Sequence, residues 1–103
     1  MLRVIYDFRI RPECDAELDE LVRLWFGSMS TFPGFISISL FQDRGDPGHY
    51  CSIGDWQDAT SYQAFYESDA HRAVAEASRD LFDAEARHTF QLCYQITARD
   101  GGE

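Results

Sequence analysis

His71 is the residue whose sequence context most suggests chemistry. It follows Ser68 by three positions, and serine is a preferred cap at the start of a helix. His71 would then lie in the first helical turn, where the positive end of the helix dipole disfavours protonation of the imidazole. A neutral imidazole can act as a general base. A solvent-facing histidine that only supports the cap is the alternative that the sequence leaves open.

Two tryptophans could form part of an apolar pocket. Trp56 comes at the end of a predicted strand, and Trp25 lies on a predicted helix with Leu21 and Val22. Large aromatic side chains at such positions either pack in the core or form the wall of a ligand cavity. The sequence leaves both roles open for Trp56. It favours the core for Trp25, which stays a candidate for the cavity wall.

Four other polar residues have structural as well as functional interpretations. Asp7 and Arg9 alternate with the apolar residues of the first strand, so they could present a polar pair to a pocket on the helix side. A structural ion pair between them is the favoured interpretation. His49 stands among turn formers and is predicted on the surface of a hairpin turn. His88 starts the last strand on its apolar face, where it could line either the pocket or a subunit interface, and the interface is favoured.

Composition excludes several classes of function. Eighteen acidic residues against nine basic ones give a net charge of −9, which repels nucleic acids and anionic membrane surfaces. Aromatic residues make up 15% of the chain, more than a two-layer domain of this size readily buries. A subunit interface or an apolar pocket is therefore expected to take the remainder.

Cysteine usage and the first residues suggest a compartment. Cys14, Cys51 and Cys93 are widely spaced, which indicates reduced thiols and neither a disulfide framework nor a metal site. Cys51 and Cys93 are predicted inside strands. The chain starts with alternating residues and shows neither a secretory signal nor an apolar run of about 20 residues. We therefore expect a cytoplasmic protein, and the use of arginine for all nine basic residues hints at a bacterial source.

Hydrophobic periodicity predicts the elements that must position these residues. Alternation predicts strands over 2–10, 35–41, 50–56 and 87–96. Helical spacing predicts a first helix over 15–29, which Pro33 and Gly34 separate from the next strand. The helical region after Trp56 has two expected caps, Asp58 and Ser68, and is predicted to be kinked at Ser68.

The order of these elements predicts the fold class. Strand, helix, strand, strand, helix pair and strand form an α+β domain of the ferredoxin-like βαββαβ type. Its four-stranded antiparallel sheet would carry the helices on one face. The domain is expected over 1–98, followed by a frayed polar tail over 99–103. The second face of the sheet would have no cover within one subunit.

Three stretches of this pattern carry a family resemblance. They are Phe32-Pro33-Gly34-Phe35, the run from Asp55-Trp56 to Tyr62, and Ser68-Asp69-Ala70-His71-Arg72. In identity and spacing they resemble the antibiotic biosynthesis monooxygenase family over nearly the whole chain. The resemblance implies a homodimer in which two sheets pack into a dimeric α+β barrel, with a pocket between sheet and helices. It also implies a small aromatic substrate that is deprotonated and reacts directly with molecular oxygen, without a cofactor or metal.

The resemblance further implies roles for individual residues. Trp56 and Tyr62 match pocket positions of the quinone-forming members, and we predict them as catalytic together with His71. Those members carry an asparagine and an arginine where this chain has Ser52 and Glu76. Ser52 can still donate a hydrogen bond to a phenolate, whereas Glu76 is expected to repel that anion. Contacts with the substrate are predicted for Tyr6, Phe8, Trp25, Ser52 and Phe65.

Three functional hypotheses follow. The leading one is a cofactor-independent monooxygenase acting on a small aromatic or polyketide-like compound. The second is a non-catalytic dimer that binds small molecules. The third is a haem-binding protein, although the asparagine, tryptophan and axial histidine of the haem-degrading branch align with Phe8, Phe65 and Ala75. A haem site would therefore need a shifted geometry through His71.

Overall fold

The alternating residues Leu2–Ile10 form strand β1, with the predicted bounds, in a computed structural model that describes residues 1–98. The other strands are β2 (Phe35–Asp43), β3 (Asp46–Trp56) and β4 (Phe82–Gln91). They form one antiparallel sheet in the order β2-β3-β1-β4. This confirms the predicted four-stranded ferredoxin-like arrangement. The predicted tail over 99–103 lies outside the described residues.

Three α-helices cover one face of this sheet. They are α1 (Leu18–Ser30), α2 (Ala59–Tyr66) and α3 (Asp69–Ser78). The predicted start of the first helix is wrong, because Pro12–Glu17 forms a tighter 3-10 segment in which the Cys14 N–H donates to the Arg11 carbonyl. Both predicted caps are confirmed, since Asp58 accepts from the Ser61 N–H and Ser68 accepts from the His71 N–H.

The last strand is shifted from its predicted position over 87–96. It pairs with β1 from Ile10 opposite Phe82 to Leu2 opposite Gln91. A strand forms only where a partner backbone supplies hydrogen bonds, and the pairing with β1 ends at Leu2. Residues 92–98 consequently have no regular structure, and the prediction of Cys93 inside a strand is wrong. All three cysteines are free thiols, as predicted.

The two faces of the sheet differ in character. Val4, Phe8 and Ile10 of β1 point toward the helices and are buried in the core. Arg3 lies on the opposite face, which we call the open face, where its guanidinium makes two hydrogen bonds of 2.8 Å to the Asp55 carboxylate. The Arg3 guanidinium holds the pKa of the Asp55 carboxyl below its usual range. The open face therefore carries an ordered ion pair at one end.

A second charged group lies at the other end of the open face. His49 belongs to β3 and not to a turn, and its ring nitrogens lie 2.8 Å from Asp7 and 2.9 Å from Asp43. These two hydrogen bonds raise the pKa of His49. Arg9 pairs with Asp46. The predicted ion pair between Asp7 and Arg9 is therefore wrong, as is their placement toward the helix side.

Candidate active site

A cavity of about 470 Å³ lies between the helix-covered face of the sheet and the helices. Its volume is in the range of small-molecule sites. All four strands contribute to its floor, β2 through Ile38, and α1, α2 and α3 supply the walls. Six predicted site residues line it, namely Tyr6, Trp25, Ser52, Tyr62, Phe65 and His71. Two others, Phe8 and Trp56, lie outside the lining.

Trp56 lies behind the cavity wall. Its side chain is fully buried and packs against the rings of Phe35, Tyr62 and Phe65 at 5.4 to 5.8 Å between centroids. Its Nε1–H has no hydrogen-bond partner within residues 1–98. Trp56 supports two lining residues, Tyr62 and Phe65, and its catalytic role stays a prediction.

Phe8 is part of the core beneath the cavity. It is 1% exposed, and its ring lies 4.4 Å from Phe82 and 5.7 Å from Tyr50 between centroids. Tyr6 lies two residues earlier on β1, at the same face, and its ring reaches the cavity. Tyr6 is therefore exposed to the cavity, whereas Phe8 packs beneath Phe82, which lines it.

His71 occupies the third position of α3, in the first helical turn, and its ring faces the cavity. The ring lies 4.5 Å from the Tyr66 ring and 5.4 Å from the Phe65 ring between centroids. Burial lowers the pKa of His71, and the positive charge of Arg87 lowers it further. The imidazole is therefore neutral at physiological pH and available to accept a proton.

Arg87 is a site residue that the sequence reasoning missed. It comes from β4, where it stands opposite Tyr6 in the register and lines the cavity. Its Nη1 donates a hydrogen bond of 2.8 Å to the Tyr62 hydroxyl, and its guanidinium lies 4.1 Å from the centroid of the Tyr66 ring. No motif marks this arginine, so only the pairing of β4 with β1 could have placed it in the cavity.

Glu76 does not oppose this positive charge. It pairs with Arg79 at 2.6 Å on the outer side of α3, and its side chain is 65% exposed. The expectation that Glu76 repels an anion in the pocket is wrong, because its helical position turns it away from the cavity. Ser52, by contrast, is 1% exposed and lines the cavity.

Tyr6, Tyr62 and Tyr66 line the cavity. Burial raises the pKa of Tyr62. Burial also raises the pKa of Tyr6, and a hydrogen bond to the Glu85 carboxylate adds to this effect. Both phenols are consequently protonated at neutral pH. The cavity lining therefore combines a neutral imidazole with phenols, two guanidinium groups and one carboxylate, which belong to His71, to Tyr6, Tyr62 and Tyr66, to Arg79 and Arg87, and to Glu85.

The sequence model of the antibiotic biosynthesis monooxygenases matches residues 1–77. The chain belongs to this family. The match includes β1 to β3, α1, α2 and most of α3, and it ends before β4. Arg87 and Glu85 therefore lie outside the segment that defines the family here. No significant match to a curated protein sequence was found.

Solved structures with the family fold agree with this assignment. SnoaB, a cofactor-independent oxygenase from Streptomyces nogalater, superposes with a TM-score of 0.84 at 18% identity, covering 92% of this chain and 95% of its own. Rv0793 from Mycobacterium tuberculosis superposes with a TM-score of 0.83 at 14% identity, covering 93% and 98%. At these identities the comparison shows a shared fold.

Two further observations concern ligands and membranes. Residues 1–98 contain no cluster of three or more histidine, cysteine or carboxylate side chains that could hold a metal ion. Over the same range, no helix is long and apolar enough to cross a bilayer. Ala75, at the position of the haem-ligating histidine, lines the cavity without a ligating atom.

Proposed function

We propose that this family member is a cofactor-independent monooxygenase that oxidises a small aromatic or polyketide-like compound with molecular oxygen in the cavity. The observation that carries the proposal is a neutral imidazole, His71, facing the same cavity as the cation of Arg87. A base next to a fixed positive charge favours formation of a carbanion or phenolate from an acidic aromatic compound. Such an electron-rich anion can react with oxygen directly.

The reaction balances without an external reductant. His71 removes a proton from an activated CH₂ group, and the resulting carbanion donates electrons to oxygen and forms a C–O bond. Return of this proton to the distal oxygen gives a hydroperoxide. Removal of the second proton from the same carbon, with cleavage of the O–O bond, then forms the carbonyl group and releases water. One oxygen atom ends in a new carbonyl group and the other in water. Arg87 and the Tyr62 hydroxyl would hold the developing oxyanion, and the aromatic walls would orient the ring.

Oxygen uptake tests this function. With an anthrone as substrate, we expect consumption of one oxygen molecule per quinone formed, above the rate without enzyme, and one labelled atom in the quinone from ¹⁸O₂. Uptake no faster than the enzyme-free rate across a panel of acidic aromatic compounds would contradict the proposal. A bound compound that is recovered unaltered after aerobic incubation would identify a non-catalytic binding protein instead.

We also infer that two copies pair through the open face. Ile5 and Ile53 lie opposite each other in its middle, and exposed Phe90 and Phe41 lie nearer its two ends, opposite Arg3 and Cys51, where the ion pairs also lie. An apolar centre with a polar rim is typical of a subunit interface. Two-fold pairing is the commonest solution for identical chains.

Light scattering tests the dimer, which should show twice the chain mass of 11.9 kDa. Phe90→Asp should shift the protein toward the monomer, because it replaces an exposed apolar side chain of the open face by a charge. Leu24→Asp, on the outer side of α1 and 42% exposed against 52% for Phe90, is the matched control and should leave the mass unchanged. A monomeric wild-type protein at micromolar concentration would rule out the pairing.

A further inference from the structure

Glu85 lines the same cavity as Arg87, but no carboxylate in the described part of the chain lies within 4.0 Å of the Arg87 guanidinium. Ion pairs within 4.0 Å join Arg3, Arg9, Arg11, Arg72 and Arg79 to acidic side chains. The guanidinium of Arg87 instead contacts a phenol hydroxyl and an aromatic face. In a chain of net charge −9, a cavity cation without a direct ion-pair partner is a place where an anionic ligand can bind.

The orientation of this guanidinium leaves hydrogen-bond capacity for a ligand. Arginine has five N–H donors, and within residues 1–98 one of its nitrogens, Nη1, is committed to Tyr62. The Tyr66 ring at 4.1 Å and the Tyr62 ring at 5.9 Å hold the group without using its donors. Donors that remain can form paired hydrogen bonds to two oxygen atoms of one acidic group.

We propose that Arg87 and the Tyr62 hydroxyl bind an acidic oxygen group of the ligand, so that the cavity selects aromatic compounds that are already anionic at neutral pH, such as aryl carboxylates or ionised enols. The proposal rests on the cavity assigned above and names its ligand class. Arg87 is then a specificity-determining residue supplied by β4, outside the family match. A neutral aromatic compound of the same shape binds more weakly, because it leaves the cation without a partner.

Binding of a matched probe pair tests this selection without turnover. The probes are 2-naphthoate and 2-naphthamide, which have nearly the same shape and differ in charge, titrated by calorimetry into the full-length protein without oxygen. Wild type is expected to bind naphthoate at least about tenfold more tightly, which corresponds to about 1.4 kcal/mol. Arg87→Gln is expected to remove this preference while naphthamide affinity stays within about twofold. Arg72→Gln, the same change on the outside of α3, keeps the preference.

A second readout locates the anion. Naphthoate bound beside Arg87 offsets the positive charge that lowers the pKa of His71, so the pKa of His71 measured by NMR should rise on binding in wild type and not in Arg87→Gln. Equal affinity for both probes in wild type, no naphthoate binding at millimolar concentration, or an unchanged preference in Arg87→Gln would each overturn the proposal. Because oxygen is absent, these outcomes are independent of whether the protein is an oxygenase.

Discussion

His71→Gln is expected to lower kcat for oxygen uptake by about 10²-fold or more, since general bases contribute roughly 10² to 10⁴ to rate. Glutamine has a similar length and hydrogen-bonding capacity but cannot accept a proton at neutral pH. The substitution leaves the Ser68 cap intact, because that cap uses the backbone N–H of residue 71. KM should change little, since the effect falls on proton transfer. Initial rates in an oxygen electrode measure the loss.

His88→Gln is the matched control for this prediction. His88 stands opposite Ile5 in the register, on the open face and away from the cavity. Because this face is the one proposed for the dimer, light scattering must first show that the variant is still a dimer. It should then retain the wild-type rate. Equal losses in both variants would indicate a general effect of histidine removal and would count against His71 as the base.

The pH dependence of kcat/KM tests the same role of His71 as the general base. The active form of the base is the neutral imidazole, so kcat/KM should fall as pH drops through the pKa of His71. Burial and Arg87 lower that pKa, which places the acid limb below the ordinary histidine value of about 6.5. Removing the charge in Arg87→Gln should move the acid limb to higher pH. An acid limb at the same pH in both proteins would exclude His71 as its source.

Gly34→Ala is expected to lower the free energy of unfolding by about 3 kcal/mol and Tm by roughly 15 °C. Gly34 has φ +85°, a left-handed conformation that alanine adopts only at a cost of about 1 to 2 kcal/mol. A Cβ there would also overlap the Cβ and Oγ of Ser61 at the start of α2. The Gly34 carbonyl accepts a hydrogen bond of 2.8 Å from the Gln57 N–H, so the turn cannot move away freely. Urea unfolding with circular dichroism measures the loss.

Two further variants separate the causes of this effect. Gly27 lies on the exposed side of α1, where a Cβ would meet no atom within 4 Å. Gly27→Ala should therefore raise the free energy of unfolding by about 0.5 to 1 kcal/mol. Ser61→Gly combined with Gly34→Ala removes the overlap and leaves the backbone cost, so the double variant should recover part of the loss. A Gly34→Ala protein as stable as wild type would show that this turn tolerates another conformation.

Local signals were sufficient for much of the fold. β1 alternates so regularly that its bounds follow from the sequence, and Asp58 and Ser68 mark helix starts because a cap acts on backbone groups two or three residues away. β4 lacks such a signal. Its first half, Phe82–Ala86, contains two acidic residues and two alanines, and it becomes a strand because β1 offers backbone partners there.

Part of the candidate site could likewise be predicted from local signals, and part could not. Residue types and helical spacing placed His71 in the first turn of α3, since the cap and the dipole are local to that helix. Three orientations depended on how the helices pack on the sheet. They are the direction of the His71 ring toward the cavity, the place of Trp56 in the wall or behind it, and the direction of the Glu76 side chain. Those orientations follow from contacts between distant parts of the chain.

The sequence by itself determined the order of elements, the helix caps, the acidic character and the family, because these depend on local patterns and composition. Only the tertiary structure decided that Arg87 lines the cavity. Arg87 and Tyr62 are 25 residues apart, and their hydrogen bond exists because β4 pairs with β1 in one register and α2 packs above it. A shift of β4 by one residue would turn Arg87 to the open face.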